Sequence, residues 1–246
     1  QLIKPIYQTE NQYSKNNASI GRIQRERAVG KYYAACEGDD YWIDPHKLQK
    51  QVDYLERNPH VSFVATNYFI YDEITKGTRK VAISKRIDFY TLLKRKNQIP
   101  TLTTCIKSEY IFDYNREINP IEKNWPVGDY SLWLYLSQKG KIGVIPDYTA
   151  TYNKRQISAC HYTDIKKQYQ FYLRVIDIAR FYSEKYGSSI SIKKIIKKNK
   201  VETLINYGYS LKNTKLMRKW IKYYFYNLKM IPIKGVIKYC MLLVGI

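Results

Sequence analysis

Three carboxylates stand within four residues of one stretch, residues 37–40, with the sequence EGDD. Mutual repulsion makes such a cluster unfavourable unless a cation, or solvent at a sheet edge, relieves it. Alternate residues of an extended turn point to the same side, so the carboxylates of Glu37 and Asp39 are able to face one ion. These residues, which we call the acidic turn, are therefore a candidate site for a divalent cation. The alternative is a solvated turn that leads into a helix.

Regular elements are expected on both sides of the acidic turn. The apolar and aromatic run of residues 32–36 (YYAAC) is typical of a strand buried inside a sheet. Asp44 is expected to N-cap a helix with Pro45 at its first position, where proline is well suited. The apolar face of that helix is expected to consist of Leu48, Val52 and Leu55. Open α/β sheets bind ligands at the carboxyl ends of strands, where this turn would lie.

The chain up to about residue 160 mixes strand-like and helix-like segments, which predicts an α/β fold. Strands are predicted over residues 2–7, 61–71, 82–86, 102–106, 141–146 and 149–152. Helices are predicted over residues 20–28, 88–94 with Asp88 as a cap, and 130–138, which follows Asp129 and stops at Gly140.

Helical spacing of apolar residues takes over from residue 162. It predicts one helix that ends before Gly187 and three more over residues 190–207, 214–228 and 233–243, with Pro232 separating the last two. We therefore predict a boundary near residue 163, between an α/β domain of residues 1–163 and a helical basic region of residues 164–246.

Composition favours a packed globular protein, because 45% of the 246 residues are hydrophobic and 15% are aromatic. No apolar run reaches the roughly 18 residues that a membrane-spanning helix requires. The four cysteines are widely spaced without a CxxC pair, which favours a reducing cytoplasm and makes structural zinc unexpected. They are Cys36, Cys105, Cys160 and Cys240.

The net charge of +21 indicates an anionic partner such as nucleic acid or a membrane surface. An AT-rich genome is the competing explanation, since it enriches Lys, Ile, Asn and Tyr together. Residues 187–246 hold 13 basic residues and one acid, Glu202. This basic tail is expected either to dock on the anionic inner leaflet or to pack as a bundle with a lysine-rich outer face.

Three segments carry a resemblance to a known family. The string KYYAACEGDDYW of residues 31–42, followed by Asp44 and Pro45, resembles bacterial family-2 glycosyltransferases with a GT-A fold. Residues 124–133 (NWPVGDYSLW) resemble the acidic acceptor-side motif of that family. Residues 149–152 (TATY), with Ser158 and His161 beyond them, resemble its closing segment. The resemblance spans residues 7–186 and implies a partial GT-A domain, a Rossmann-like mixed sheet, within residues 1–163.

The chain departs from the family pattern in two ways. The family begins earlier, with a strand that carries a nucleotide-binding motif, so we expect that segment to be missing from the amino terminus here. The family also has Arg directly after the tyrosine of the closing segment, whereas this chain has Asn153. Lys154 or Arg155 is the candidate to supply the missing charge.

On the donor side, the resemblance implies a Mg²⁺ or Mn²⁺ site with Asp39 and His161 as ligands. Glu37 would contact the ribose or metal-bound water, and Gly38 would let the donor approach the backbone closely. Further donor contacts are expected from Asp40 and Tyr152. For His161 the alternative is a structural role, and for Asp40 it is simply the start of the loop.

On the acceptor side, the resemblance makes Asp129 the candidate general base of an inverting transfer. The alternative is an N-cap of the helix that follows it, and the two roles can coexist. Trp42 and Trp125 are expected to contact the acceptor, with core packing as the alternative. Trp133 has the same two alternatives.

The resemblance thus implies a metal-dependent inverting glycosyltransferase of the bacterial cell envelope. It would use a nucleotide-sugar, with UDP-sugar favoured, and a glycan or lipid-linked acceptor. The expected location is the cytoplasm, with peripheral contact at the inner face of the membrane. A non-catalytic remnant that binds glycan or membrane is the first alternative. A nucleic-acid-binding protein is the second and is not expected, because no nucleic-acid motif is present.

Overall fold

The computed structural model of the protein describes residues 4–7, 9–10, 23–24, 27–95, 97–155 and 162–244. Within these ranges six strands form one mixed sheet in the order β1-β5-β3-β6-β2, with β4 paired to β3. The strands are β1 (Tyr32–Tyr33), β2 (Tyr41–Trp42), β3 (Val61–Asp72), β4 (Gly77–Val81), β5 (Thr104–Lys107) and β6 (Lys141–Lys154). The predicted α/β class, followed by a helical C-terminal region, is confirmed.

The parallel pair β3 and β6 forms the centre of the sheet. Residues 61–68 of β3 are all buried, as expected for a strand covered on both faces, and the strand predicted there is confirmed. The two strands predicted over residues 141–152 are instead one strand, β6. Thr66 pairs with Ile145 and Asn67 with Tyr148. The two residues of β6 between these pairs form a bulge, and the strand continues after it.

Two smaller strand predictions were misplaced. The strand that pairs back on β3 is Gly77–Val81, not residues 82–86. The Asp72 carboxylate accepts the amide hydrogens of Ile74 and Thr75, at 3.0 and 3.2 Å, and so makes a tight turn that starts β4 early. The strand predicted over residues 102–106 begins at Thr104, after a 3-10 turn over Thr101–Thr103.

The strand before the acidic turn is shorter and less buried than predicted. Only Tyr32 and Tyr33 pair with β5, and they lie at the edge of the described sheet. Residues 32–35 are half-buried, and Cys36 is exposed. The prediction of a buried strand over residues 32–36 is therefore wrong.

The helix after the acidic turn, α1 (Lys47–Arg57), begins later than predicted. Of its predicted apolar face, Val52 and Leu55 pack in the core as expected. Asp44 is not its N-cap, because its Oδ1 accepts the amide hydrogen of His46 at 2.8 Å and closes a local turn that includes Pro45. Leu48 is 41% exposed, whereas the buried residues are Lys47, Gln51 and Leu55.

Helices α2 (Phe89–Arg95) and α5 (Asp129–Lys139) confirm two predictions. Asp88 caps α2, since its Oδ1 accepts the amide hydrogen of Thr91 at 2.7 Å. α5 ends at Gly140 as expected. Two helices between them were not predicted, α3 (Ser108–Ile118) and α4 (Pro120–Lys123).

The C-terminal helices agree closely with the predicted ones. They are α6 (Ile165–Lys185), α7 (Ile190–Ser210), α8 (Thr214–Leu228) and α9 (Ile233–Leu243). α6 and the start of α7 contribute Ile178, Tyr182 and Ile196 to the same core as the sheet. A second, smaller core joins α7 with α8 and the inner face of α9. The domain boundary near residue 163 stays a prediction.

No helix in the described ranges is long and apolar enough to cross a membrane. At the amino terminus, residues 4–7 are not in a strand, although one was predicted over residues 2–7. Of the helix predicted over residues 20–28, the described residues are 23–24 and 27, which are helical, and 28, which is not.

Candidate functional site

The acidic turn lies between β1 and β2 at one end of the sheet. The amide of Asp40 donates to the carbonyl oxygen of Glu37 at 3.0 Å, which closes the turn. The next strand, β2, pairs antiparallel with β6, with Tyr41 opposite Thr151. This pairing holds the acidic turn beside the last residues of β6.

Asn153 fixes the acidic turn through two hydrogen bonds. Its backbone amide donates to Oδ1 of Asp40 at 2.8 Å. Its side-chain Nδ2 donates to the carbonyl oxygen of Asp39. Asn153 therefore holds the conformation of the turn, and a positive charge at the turn has to come from a neighbour.

Arg155 is the basic residue that approaches the acidic turn. Its Nε lies 3.7 Å from Oδ2 of Asp39 and 3.5 Å from Oε1 of Glu73, at the end of β3. The other candidate, Lys154, forms an ion pair with Asp72, with 2.7 Å between Nζ and Oδ2. Of the two residues that the sequence left open, Arg155 is thus the one placed to contact an anion at the turn.

Asp40, the last acid of the turn, is half-buried. Burial raises the pKa of its carboxyl to about 6, and the negative charges of Glu37 and Asp39 add to that effect. The amide of Asn153 acts in the opposite direction, because it stabilises the charged form. With one carboxylate oxygen committed to Asn153, Asp40 supports the shape of the turn.

Asp129 is held firmly at the start of α5. The helix is anchored by the hydroxyl of Tyr130, which donates to the carbonyl of Leu92 at 3.0 Å, and by Nε1 of Trp133, which donates to the carbonyl of Ile99 at 2.9 Å. The N-cap residue is Gly128, so the N-cap alternative for Asp129 is wrong. Asp129 is instead the first residue of the helix.

Both carboxylate oxygens of Asp129 accept hydrogen bonds. Oδ1 accepts the amide hydrogen of Tyr130 at 2.6 Å, and Oδ2 accepts from Nδ2 of Asn97 at 2.5 Å. Burial raises the pKa of Asp129 to about 6, against the effect of these two donors. The charge of Glu37 raises it further. Because Glu37 acts on Asp129 through space, the acidic turn and the start of α5 share one electrostatic environment.

The two tryptophans predicted for the acceptor both have packing roles. Nε1 of Trp42 donates to the carbonyl of Leu102 at 2.9 Å, and Nζ of Lys47 lies 4.5 Å from the centre of its ring. Trp125 packs edge-on against Phe181, with 5.3 Å between ring centres. Both remain half-buried, so contact with an acceptor stays a prediction.

The structure also places Trp133 and Tyr152, two further residues named from the sequence. Trp133 is fully buried and stacks on Phe63 at 5.0 Å, which is the core-packing alternative. Tyr152 lies on β6 directly before Asn153, half-buried against the core. Its role as a donor contact stays a prediction.

The acidic turn suits a hard divalent cation by its chemistry. It offers carboxylate oxygens, and the side chain of Asp39 is 41% exposed. Among the residues that the structure describes, no group of three or more His, Cys, Asp or Glu side chains is arranged to hold a metal. Mg²⁺ sites that serve phosphate substrates often use one or two carboxylates, with phosphates and water as the other ligands. Ser158 and the predicted ligand His161 lie outside the described residues.

Sequence reasoning missed Asn97 and Glu73 as members of the site. Asn97 is in an irregular loop, and its partner Asp129 lies 32 positions away in the chain. Glu73 follows β3 and meets Arg155 only because β3 and β6 run parallel. No local pattern signals either contact.

Comparisons with known proteins relate this chain to glycosyltransferases. No family model matches it. An uncharacterized protein of Mycobacterium tuberculosis (strain ATCC 25618 / H37Rv) is 34% identical over 145 residues, 57% of this chain and 40% of that protein. The Escherichia coli UDP-Glc:alpha-D-GlcNAc-diphosphoundecaprenol beta-1,3-glucosyltransferase WfaP is 28% identical over 131 residues, 53% of this chain and 48% of that protein. This chain therefore spans less than half the length of the two relatives.

One solved structure is similar over most of the chain. The crystal structure of S. aureus TarS 1–349 in complex with UDP-GlcNAc aligns with a TM-score of 0.47 and 11% identity, over 89% of this chain and 68% of that chain. The sequence similarity to WfaP supports a glycosyltransferase-like protein, whereas membership of family 2 stays a prediction.

Proposed function

We propose that this protein is a metal-dependent, inverting glycosyltransferase that uses a nucleotide-sugar, with UDP-sugar as the expected donor. The observation that supports the proposal is the carboxyl of Asp129, whose pKa burial raises to about 6 and the charge of Glu37 in the acidic turn raises further. A carboxylate with that pKa is well suited to accept a proton near neutral pH. The similarity to a glucosyltransferase that uses UDP-Glc supports the same class of reaction.

The acidic turn is the donor side of the proposed site. Asp39, together with water and the donor phosphates, would hold Mg²⁺ or Mn²⁺, which when bound neutralises charge on the leaving diphosphate. Gly38 has nothing within 4 Å of the position that a Cβ would occupy, so the backbone is open to a ligand there. Arg155 adds a positive charge beside Asp39 for the phosphates.

Asp129 is the acceptor side. The oxygen of an acceptor hydroxyl attacks the anomeric carbon of the donor sugar and forms the new glycosidic bond. The bond from that carbon to the diphosphate breaks, and its electron pair leaves with the phosphate oxygen. The hydroxyl proton passes to the carboxylate of Asp129. Because attack and departure occur on opposite faces of the carbon, the configuration inverts.

The cell-envelope setting and the class of acceptor also belong to this proposal. WfaP, by its name, acts on a GlcNAc joined through a diphosphate to undecaprenol. A glycan or lipid-linked acceptor is the corresponding expectation for this protein.

Release of UDP from UDP-sugars by the full-length protein tests the donor side. With Mn²⁺ present we expect release by the wild type and loss of at least a hundredfold in the Asp39→Asn variant. Asp113→Asn is the matched control, because Asp113 pairs with nearby Arg116 on α3. Unchanged release by Asp39→Asn would remove Asp39 from the site. Binding of UDP-sugar without any turnover would favour a non-catalytic sugar-binding protein.

A further inference from the structure

Helix α9 is apolar on two opposite faces. Its inner face packs on the rest of the bundle through Tyr239 and Leu242. Gly235 is buried in the same contact, where an added Cβ would lie 3.0 Å from Cγ2 of Ile205. Close approach of α9 to α7 thus depends on this glycine.

The outer face of α9 is apolar too, although it is open to solvent. Ile233 is 67% exposed, Ile237 54%, Leu243 60% and Val244 69%. Ile233, Ile237 and the exposed Cys240 follow one another at spacings of four and three residues. They therefore form one stripe along the helix. An exposed apolar stripe of this kind marks a surface that a partner covers. Something absent from the bundle is therefore expected to cover this stripe.

Apolar residues continue from the stripe into the end of α8 and the connection to α9. The exposed fractions are 52% for Phe225, 70% for Tyr226, 39% for Met230 and 64% for Ile231. Met230 and Ile231 line one cavity with Ile233, which joins the connection to the stripe. We call the exposed apolar residues within 225–244 the docking face. Exposed apolar residues at this density mark an interaction surface rather than ordinary surface.

The positive charge around the docking face favours an anionic partner. Lys222, Lys229 and Lys234 are exposed within or beside it. Residues 187–246 hold 13 basic residues and only one acid. A second copy of the same face would bring like charges together, whereas an anionic surface would be attracted.

The length of α9 shows that this helix is too short to cross a bilayer. Its 11 residues measure about 17 Å, roughly half of the hydrocarbon thickness of about 30 Å. An apolar stripe flanked by lysines on such a helix fits the boundary between headgroups and acyl chains.

We propose that the docking face of α8 and α9 binds the surface of an anionic lipid membrane. The apolar stripe enters the headgroup boundary, and the flanking lysines contact lipid phosphates. The aromatic side chains Trp220 and Tyr223 of α8 are turned inward and pack on the second core. The contact thus belongs mainly to α9, and it does not depend on the transfer reaction.

Sedimentation of the full chain with vesicles tests this proposal. Vesicles rich in phosphatidylglycerol are expected to bind the wild type, and vesicles of phosphatidylcholine alone are expected to bind it at least tenfold more weakly. A double variant, Ile233→Ser with Ile237→Ser, is expected to bind anionic vesicles about tenfold more weakly than the wild type. The matched control is Ile74→Ser with Ile190→Ser, which removes two isoleucines that are 65% and 86% exposed elsewhere.

The outcomes separate the occupants of the docking face. Equal binding to both kinds of vesicle, or equal loss in the two double variants, would overturn the proposal. So would a wild-type dimer that the Ile233 and Ile237 substitutions convert to a monomer, because the stripe would then be covered by a second copy. Thermal unfolding confirms that both double variants are folded. Release of UDP with a water-soluble acceptor should be unchanged in the docking variant, so failure of the membrane proposal and failure of the transferase proposal are distinguishable.

Discussion

The side-chain amide of Asn97 donates a hydrogen bond to Oδ2 of Asp129 at 2.5 Å, from a loop to the first residue of α5. The other carboxylate oxygen is already bonded to the amide of Tyr130. The two donors fix the orientation of the carboxylate and oppose the rise in its pKa that burial causes. A base held in this way keeps its geometry when the proton arrives.

Removal of Asn97 tests how this contact controls Asp129. Because the amide stabilises the charged carboxylate, Asn97→Ala is expected to raise the pKa of Asp129 above about 6. The acid limb of the pH profile of kcat should therefore move to higher pH, and kcat at neutral pH should fall about tenfold. The control is Asn227→Ala, which removes a side-chain bond to the carbonyl of Tyr223 in α8. An acid limb that stays in place in Asn97→Ala would contradict the assigned contact.

Substitutions of Arg155 and Lys154 are expected to affect donor binding to different extents. Arg155 faces Asp39, so Arg155→Gln is expected to raise KM for the nucleotide-sugar about tenfold through loss of a phosphate contact. Lys154 pairs with Asp72 instead, so Lys154→Gln is expected to leave that KM within about twofold. Steady-state kinetics at saturating acceptor compares the two variants. The reverse order of effects would assign the phosphate contact to Lys154.

Lys47 is a buried lysine with no carboxylate beside it in the described structure. Its Nζ donates to Oε1 of Gln51 at 2.6 Å, and burial lowers its pKa to about 8. The folded state therefore holds fewer protons than the unfolded state between about pH 8 and 10, and this group's contribution to stability rises with pH across that window. Lys47→Met is expected to remove this rise of stability with pH. Its free energy of unfolding at pH 7 is expected to exceed that of the wild type by about 1–2 kcal/mol, with the lost hydrogen bond to Gln51 included.

Urea unfolding at a series of pH values measures this effect. Lys50→Met is the matched control on the same helix, because Lys50 is exposed and paired with Asp44 and Asp147. Its pKa is raised, so its contribution to stability is present at neutral pH and is lost as the pH rises toward the folded pKa. The two variants should thus differ from the wild type with opposite dependence on pH. A parallel dependence would show that Lys47 titrates normally.

Sequence patterns predicted the elements whose limits are set by local chemistry. α8 begins at Thr214, as predicted, because the side chain of Asn213 accepts the amide hydrogen of Leu216 at 2.8 Å. Its separation from α9 follows from Pro232, which lies directly before Ile233. The acidic turn was predicted for the same reason, since its three acids lie within four consecutive residues.

The failures are contacts between distant segments. In the apolar face predicted for α1, Leu48 is exposed although Val52 and Leu55 pack in the core. Tertiary packing buries Lys47 and Gln51 as well, and Gln51 donates to the carbonyl of Thr103 at 2.8 Å. β6 continues through Pro146 because β3 runs beside it for its whole length. In the site, Asn153 read as a departure from a pattern, and only the structure shows both of its bonds to the turn.

The role of Asp129 is the central claim, and comparison of binding with turnover in Asp129→Asn tests it most directly. The asparagine keeps the shape of the side chain and cannot take up the acceptor proton. We predict a donor Kd within about threefold of the wild type, with kcat lower by about a hundred- to ten-thousandfold at pH 7.5. Turnover at the wild-type rate with the same Kd would contradict the account, because transfer would then proceed without the base to which the site is assigned.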